Sequence, residues 1–113
     1  MTGQHVFRRL TLPELGAWRR QRPNALVLDA RDAQSHARDG WPDAVHLSRD
    51  NQDELLLRTE RQRPILIYCH HGSASQAWAQ MFADFGFTDV CDLVGGHAAW
   101  AASPDIAQRP RAT

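Results

Sequence analysis

The sequence predicts an α/β fold with a central, mostly parallel sheet of about five strands flanked by helices on both faces. Short apolar runs alternate with helical patterns along the chain. Two of those runs, Leu26-Val27-Leu28 and Ile65-Leu66-Ile67-Tyr68, are continuous rather than alternating, the pattern of strands buried on both faces. The length of 113 residues fits one domain and leaves no room for two.

The elements follow in order. Residues 6–10 read as a short strand. Thr11 and Glu14 have the T-x-x-E spacing of a capping box, and Pro13 falls in the first turn, where its missing N–H costs little. That helix runs to about Arg20, before Pro23. After the strand at residues 26–28, Asp32 is placed to cap a helix over residues 33–39, with Gly40 as the left-handed residue that stops it. Residues 45–47 read as a third strand. Residues 53–58 (DELLLR) read as a short helix, acidic at its start and basic at its end, as the helix dipole favours. Pro64 opens the clearest strand, residues 65–68, which is β-branched and aromatic. Ala77, Trp78, Met81, Phe82 and Phe85 then recur at helical spacing, and Gly86 ends that helix. Residues 90–94 form the last strand, Gly95-Gly96 a turn and residues 97–102 a short helix stopped at Ser103-Pro104. The domain is expected to span residues 1–103, with residues 104–113 a loose tail.

Composition excludes several classes. Hydrophobic residues make up 42% of the chain, enough for a core, so the chain is not disordered. Thirteen basic residues balance thirteen acidic ones, so the basic footprint of a nucleic-acid binder is missing and no nucleic acid is expected as partner. The local arginine clusters, at positions 8, 9, 19, 20 and 22 and at 58, 61 and 63, read as solvated helix ends and loops. Two cysteines, Cys69 and Cys91, are too few for a disulfide framework. No apolar stretch has the length to span a bilayer, and the first ten residues lack the apolar segment of a signal peptide. A cytoplasmic protein without membrane contact is the expectation.

Chemistry concentrates in the segment Tyr68-Cys69-His70-His71-Gly72-Ser73-Ala74-Ser75-Gln76, between the strongest strand and the strongest helix. Binding sites of parallel sheets lie beyond the carboxyl ends of strands, where Cys69 falls. The helix that follows offers unpaired amides and the positive end of its dipole. Small residues from Gly72 to Ser75 let successive amides turn inward around one point. A cysteine held there has a lowered pKa, because amides and dipole favour the thiolate, and the same amides can hold an oxyanion. A merely buried cysteine would need no such loop.

The C-x-x-G-x-x-S loop, the preceding Leu28-Asp29-Ala30-Arg31 and the following Gly95-Gly96-His97-Ala98-Ala99-Trp100 resemble the rhodanese family. The segment Ala44-Val45-His46-Leu47-Ser48 and His71 bring the likeness nearest to its short single-domain thiosulfate sulfurtransferases of the GlpE type. The likeness covers residues 6–100 with the motifs in order, and it implies a rhodanese-like fold and a persulfide cycle. Cys69 would be the nucleophile that takes the outer sulfur of thiosulfate, with sulfite leaving. Cyanide, or a thiol such as that of a thioredoxin-like protein, would then accept the sulfur. His70, His71, Gly72, Ser73, Ala74 and Ser75 would bind the substrate, and Asp29 and Arg31 would support the loop. The resemblance implies thiosulfate or another sulfane-sulfur donor, with no cofactor or metal. The chain is expected to be a monomer or weak homodimer.

The same residues admit other readings. A phosphatase loop needs an arginine six positions after the cysteine to grip phosphate oxygens, and Ser75 stands there. Adjacent Cys69, His70 and His71 do not converge on a tetrahedral metal, and no second cluster completes a set. A non-enzymatic persulfide relay or docking module remains the alternative to an enzyme. A catalytically idle regulatory domain is the third, against which the intact Cys69 argues. Arg31 is the arginine expected near the pocket. His46 is read as a hydrogen-bonded core histidine, His97 as an exposed turn residue, Trp78 and Trp100 as core anchors, and Cys91 as inert. Trp41, after Gly40, stands where the family commonly has histidine.

Overall fold

The computed structural model describes residues 6–103. Five strands, β1 (Arg8–Leu10), β2 (Leu26–Asp29), β3 (Val45–His46), β4 (Ile65–Tyr68) and β5 (Val90–Leu93), form one sheet in the order β1-β5-β4-β2-β3. Every pairing is parallel, with Leu28 opposite Ile67 and Ile67 opposite Asp92 across the centre. The helices are α1 (Leu12–Gln21), α2 (Ala33–Asp39), α3 (Gln52–Arg58), α4 (Ala74–Asp84) and α5 (Gly96–Ala102). Among the described residues no helix is long and apolar enough to cross a membrane.

The continuous apolar runs are explained by two cores. Successive strand residues face opposite sides. Leu28, Ile65, Ile67 and Val90 pack with Leu56 of α3 and Ala79, Phe82 and Ala83 of α4. Val27, Leu66, Tyr68, Cys91 and Leu93 pack with Leu15 and Trp18 of α1, with Trp41, and with the edge of Trp100 from α5. Strand β4, covered on both faces and paired on both edges, delivers Cys69 from the middle of the sheet.

Local chemistry sets most of the boundaries. The Glu14 carboxylate accepts both the backbone N–H and the hydroxyl of Thr11, at 2.9 Å each, and starts α1. Asp32 caps α2 by accepting the Ser35 amide at 3.1 Å. Strand β1 begins at Arg8, later than expected, since Val6 is exposed. Helix α4 begins at Ala74, so Ser75 and Gln76 lie in its first turn rather than in a longer loop. Phe85 caps α4 and is half exposed; its expected core place is taken by Phe87, 5.2 Å from the Phe82 ring. Gly86 is left-handed, at φ +98°, as expected.

Gly40 corrects a sequence expectation. Its φ of −61° is open to any residue, so it does not stop α2 by a left-handed turn. A Cβ there would lie 2.7 Å from the His36 carbonyl oxygen, and that close approach is what excludes a side chain. Trp41 beside it is buried, stacks on Tyr68 at 4.3 Å and donates its backbone N–H to the Tyr68 hydroxyl at 3.0 Å. The expected loose tail, residues 104–113, lies outside the described residues.

Candidate functional site

Cys69 follows the last residue of β4, and the chain from it to Ala74 folds back so that amides face the sulfur. The Gly72 N–H donates to Cys69 Sγ at 3.2 Å and the Ser75 N–H at 3.3 Å. The carbonyls of the loop are engaged elsewhere. Cys69 O accepts the His97 amide at 2.8 Å and His70 O the Ala98 amide at 2.9 Å, both from the first turn of α5. Gly72 O accepts Gln76 Nε2 at 2.9 Å and Arg9 Nη2 at 2.8 Å. With these three carbonyls held outside, the Gly72 and Ser75 N–H groups are oriented toward the sulfur before any ligand arrives.

Two glycines make this geometry accessible. Gly72 sits at φ +89°, a region L side chains avoid, and a Cβ would be 2.8 Å from the Gly95 nitrogen. Gly96, at φ +63°, lies under the loop, where a Cβ would be 2.5 Å from the Cys69 carbonyl oxygen and 2.8 Å from the Gly72 nitrogen.

The electrostatics favour an anion at Sγ. Burial pushes the Cys69 thiol up, but hydrogen bonding from Ser75 and from the Gly72 and His71 amides outweighs it, so the thiol lies below its ordinary value. Cys91 is the opposite case: it is fully buried, and burial raises its thiol pKa despite opposition from Arg8. Cys69 itself is only 4% exposed, so the sulfur is recessed at the bottom of the loop.

The structure gathers the expected binding residues but in different postures. Gly72 and Ser75 are buried under the sulfur, whereas His70, His71, Ser73 and Ala74 are exposed at the mouth. His70 Nε2 lies 3.1 Å from Asp32 Oδ1, and its ring is 6.3 Å from that of His71. Ser75 Oγ donates to Asp92 Oδ2 at 2.8 Å.

Asp29 and Arg31 form a buried pair under the carboxyl ends of β2 and β4. Arg31 Nη2 and Nε reach Asp29 at 2.9 and 3.0 Å, while Nη1 binds Asp39 at 2.8 Å and Nη2 also meets the Ser35 carbonyl. With its side chain 1% exposed and its donors engaged, Arg31 is held away from the mouth. The arginine that reaches the sulfur loop is Arg9 of β1, which sequence reasoning passed over as a solvated residue. It grips Asp92 through Nε–Oδ1 at 2.9 Å and Nη2–Oδ2 at 3.0 Å besides holding Gly72 O. A carboxylate inside the otherwise apolar run of β5 was the available signal, since such a group needs a partner.

The histidines divide. His46 Nε2 is 2.7 Å from the Arg31 carbonyl, the hydrogen-bonded histidine expected. His97 corrects the expectation of an exposed turn: it is 8% exposed, and its Nε2 lies 3.1 Å from the Asp39 carbonyl. Burial, then the Arg31 charge, lowers its pKa. Among the described residues no group of three or more His, Cys, Asp or Glu side chains converges to hold a metal.

Comparison with known proteins places this geometry in context. Residues 12–103 match the model of the family described as Rhodanese-like domain. The chain is 34% identical over 92 residues to a protein named thiosulfate sulfurtransferase GlpE from Coxiella burnetii, covering 80% of this chain and 86% of the relative. It is 33% identical over 100 residues to the protein of the same name from Pseudomonas savastanoi pv. phaseolicola, covering 88% and 92%. Among solved structures, the rhodanese-like domain of the Alr3790 protein from Anabaena sp. superposes with a TM-score of 0.73 at 24% identity, covering 86% of this chain and 75% of that one. A rhodanese-like domain protein from Staphylococcus aureus gives 0.71 at 21% identity, covering 83% and 91%.

Proposed function

The chain belongs to the rhodanese family, and from that membership we propose that it is a thiosulfate sulfurtransferase working through a persulfide on Cys69. The observation that carries the assignment to this residue is the pair of amides, from Gly72 and Ser75, aimed at one sulfur atom. The Cys69 thiolate attacks the outer sulfur of thiosulfate. A Cys69–sulfur bond forms, the sulfur–sulfur bond of thiosulfate breaks, and sulfite leaves with the electron pair. In the second half of the cycle cyanide or a thiolate attacks the outer sulfur, giving thiocyanate or an acceptor persulfide and returning the Cys69 thiolate. The loop amides stabilise whichever sulfur carries the charge, without reorganisation at the moment of transfer.

The mouth residues His70, His71, Ser73 and Ala74 meet the donor, while Asp29 and Arg31 brace the loop from below. A recessed sulfur suits a small acceptor or a protein thiol that projects from its own surface, as in a thioredoxin-like partner. A reducing compartment such as the cytoplasm keeps the thiolate available. A monomer suffices for the chemistry, since every group named comes from one chain.

Intact-mass measurement after incubation with thiosulfate tests the proposal. The wild type gains one sulfur atom that cyanide removes as thiocyanate, and Cys69→Ser gains none. A wild type that gains no sulfur, or a Cys69→Ser variant that still does, overturns it.

A further inference from the structure

We propose that Arg9 is a positioning residue for the Cys69 cradle, a single guanidinium on an edge strand that holds two of the residues whose amides support the sulfur, Gly72 directly and Ser75 through Asp92. The inference rests on the reading of Cys69 as a thiolate nucleophile.

The geometry has two arms. In the first, Arg9 Nη2 donates to the Gly72 carbonyl at 2.8 Å, and the amide of the same residue donates to Sγ at 3.2 Å. In the second, Arg9 grips Asp92 through two hydrogen bonds, Asp92 accepts the Ser75 hydroxyl at 2.8 Å, and the Ser75 amide donates to Sγ at 3.3 Å. The register of the sheet makes this meeting possible, because β1 pairs with β5 so that Arg9 stands opposite Asp92. Asp92 is fully buried and Arg9 is 38% exposed at the side chain, so the cation comes in from the sheet edge while the carboxylate waits inside.

A planar fork is needed for both arms at once. A guanidinium can present parallel N–H groups to a carboxylate and keep another N–H for a carbonyl, whereas an ammonium is a point donor on a flexible stem. Gly72 lies in the left-handed region, where its peptide plane has little steric restraint of its own. A donor fixed on its carbonyl supplies that restraint. The charge matters as well: Arg9 is raised above its ordinary value by the Asp92 hydrogen bond, opposed by desolvation, and further by the charges of Asp92 and Cys69, so the cation and the Cys69 thiolate stabilise one another.

A plainer role for Arg9 would be to neutralise buried Asp92, and the experiment separates the two. The rate of Cys69 alkylation by iodoacetamide is followed against pH in wild type, Arg9→Met, Arg9→Lys and Arg9→Met/Asp92→Asn, with peptide mass locating the adduct and urea unfolding reporting stability. In Arg9→Met the midpoint moves to higher pH and the rate at neutral pH falls about tenfold; Arg9→Lys recovers part of it. The double variant has no unpaired charge and keeps an acceptor for the Ser75 hydroxyl, yet its midpoint stays high because the Gly72 carbonyl has lost its donor. A double variant with the wild-type midpoint overturns the inference, and so does an unshifted Arg9→Met. If Arg9→Met does not fold, the double variant decides alone. A wild type whose own midpoint is that of an ordinary thiol overturns the thiolate reading and this inference together. A low wild-type midpoint with unshifted variants overturns this inference alone.

Discussion

Replacing Asp29 by asparagine probes the buried ionic centre beneath the sulfur loop. The Asp29 carboxylate accepts the Arg31 amide at 3.0 Å, Arg31 Nη2 at 2.9 Å and the Tyr68 hydroxyl at 3.0 Å, and lies 3.0 Å from His36 Nδ1. Burial pushes its pKa up, but the Arg31 side-chain and backbone bonds, His36 and the Arg31 charge win, bringing it from 3.8 to about 2. A carboxylate depressed on folding adds stability above its unfolded pKa and loses it as pH falls through the folded one, here from about pH 5 to about pH 2. The depression corresponds to about 2 kcal/mol. Asparagine removes the charge and turns an N–H pair toward donors, leaving Arg31 with the half-exposed Asp39 as its remaining carboxylate. Breaking a buried pair from one side costs about 3–5 kcal/mol, and the retained Asp39 bond places Asp29→Asn near 3, roughly a third of a typical domain's stability. Urea unfolding over a pH series measures it. At neutral pH the variant unfolds about 3 kcal/mol more easily, and below about pH 4 the gap to wild type narrows as Asp29 of the unfolded wild type takes up a proton that the folded carboxylate refuses until about pH 2. A cost under about 1 kcal/mol, or a gap unchanged by pH, would refute the electrostatic account of this centre.

Four further outcomes are expected. Cys69 in the wild type alkylates with a midpoint below that of a free cysteine thiol and slows as pH falls through it, while Cys91 stays unmodified in the folded protein. Ser75→Ala removes the hydroxyl that donates to buried Asp92 and so anchors the residue whose amide meets the sulfur; peptide-resolved alkylation at neutral pH slows about three- to tenfold. Gly72→Ala places a Cβ 2.8 Å from the Gly95 nitrogen at φ +89°, so it destabilises by about 2 kcal/mol or more and lowers thiocyanate production, read by denaturant unfolding and a cyanide assay. Gly40→Ala also destabilises, by about 1–3 kcal/mol from the clash with the His36 carbonyl, but leaves the Cys69 alkylation midpoint unmoved.

The legible part of this chain was local chemistry. Helix α2 falls on residues 33–39 as read because one side chain, Asp32, supplies the cap that fixes its start. Strand β4 and the loop after it were readable because an unbroken apolar run meets a run of small residues at a cysteine. What escaped depends on partners distant in the chain. Arg9 and Asp92 are 83 residues apart, and only the β1–β5 register brings them together. His97 looked exposed beside two glycines, yet those glycines let α5 dock against the loop and take the ring inside. The sequence suggests a left-handed stop at Gly40, whereas its backbone is ordinary and the requirement comes from crowding by His36, which shows only once the helix is turned in space. The first turn of α4 looks like loop in the sequence because its small polar residues carry no apolar period; its amides, not its side chains, are what matter there.

The α5 amides that hold the carbonyls of Cys69 and His70 have a wider consequence. The walls of the cradle are largely main chain, so the stabilisation of negative charge at Sγ is written in a part of the polymer that substitution barely edits. The side chains at the rim, His70, His71, Ser73 and Ala74, are exposed rather than part of the core. Such a division separates two selectable traits. Under the proposed function, the chemistry would go with the backbone path, and the four exposed positions would be where donor or acceptor preference could be redesigned without rebuilding the reactive centre.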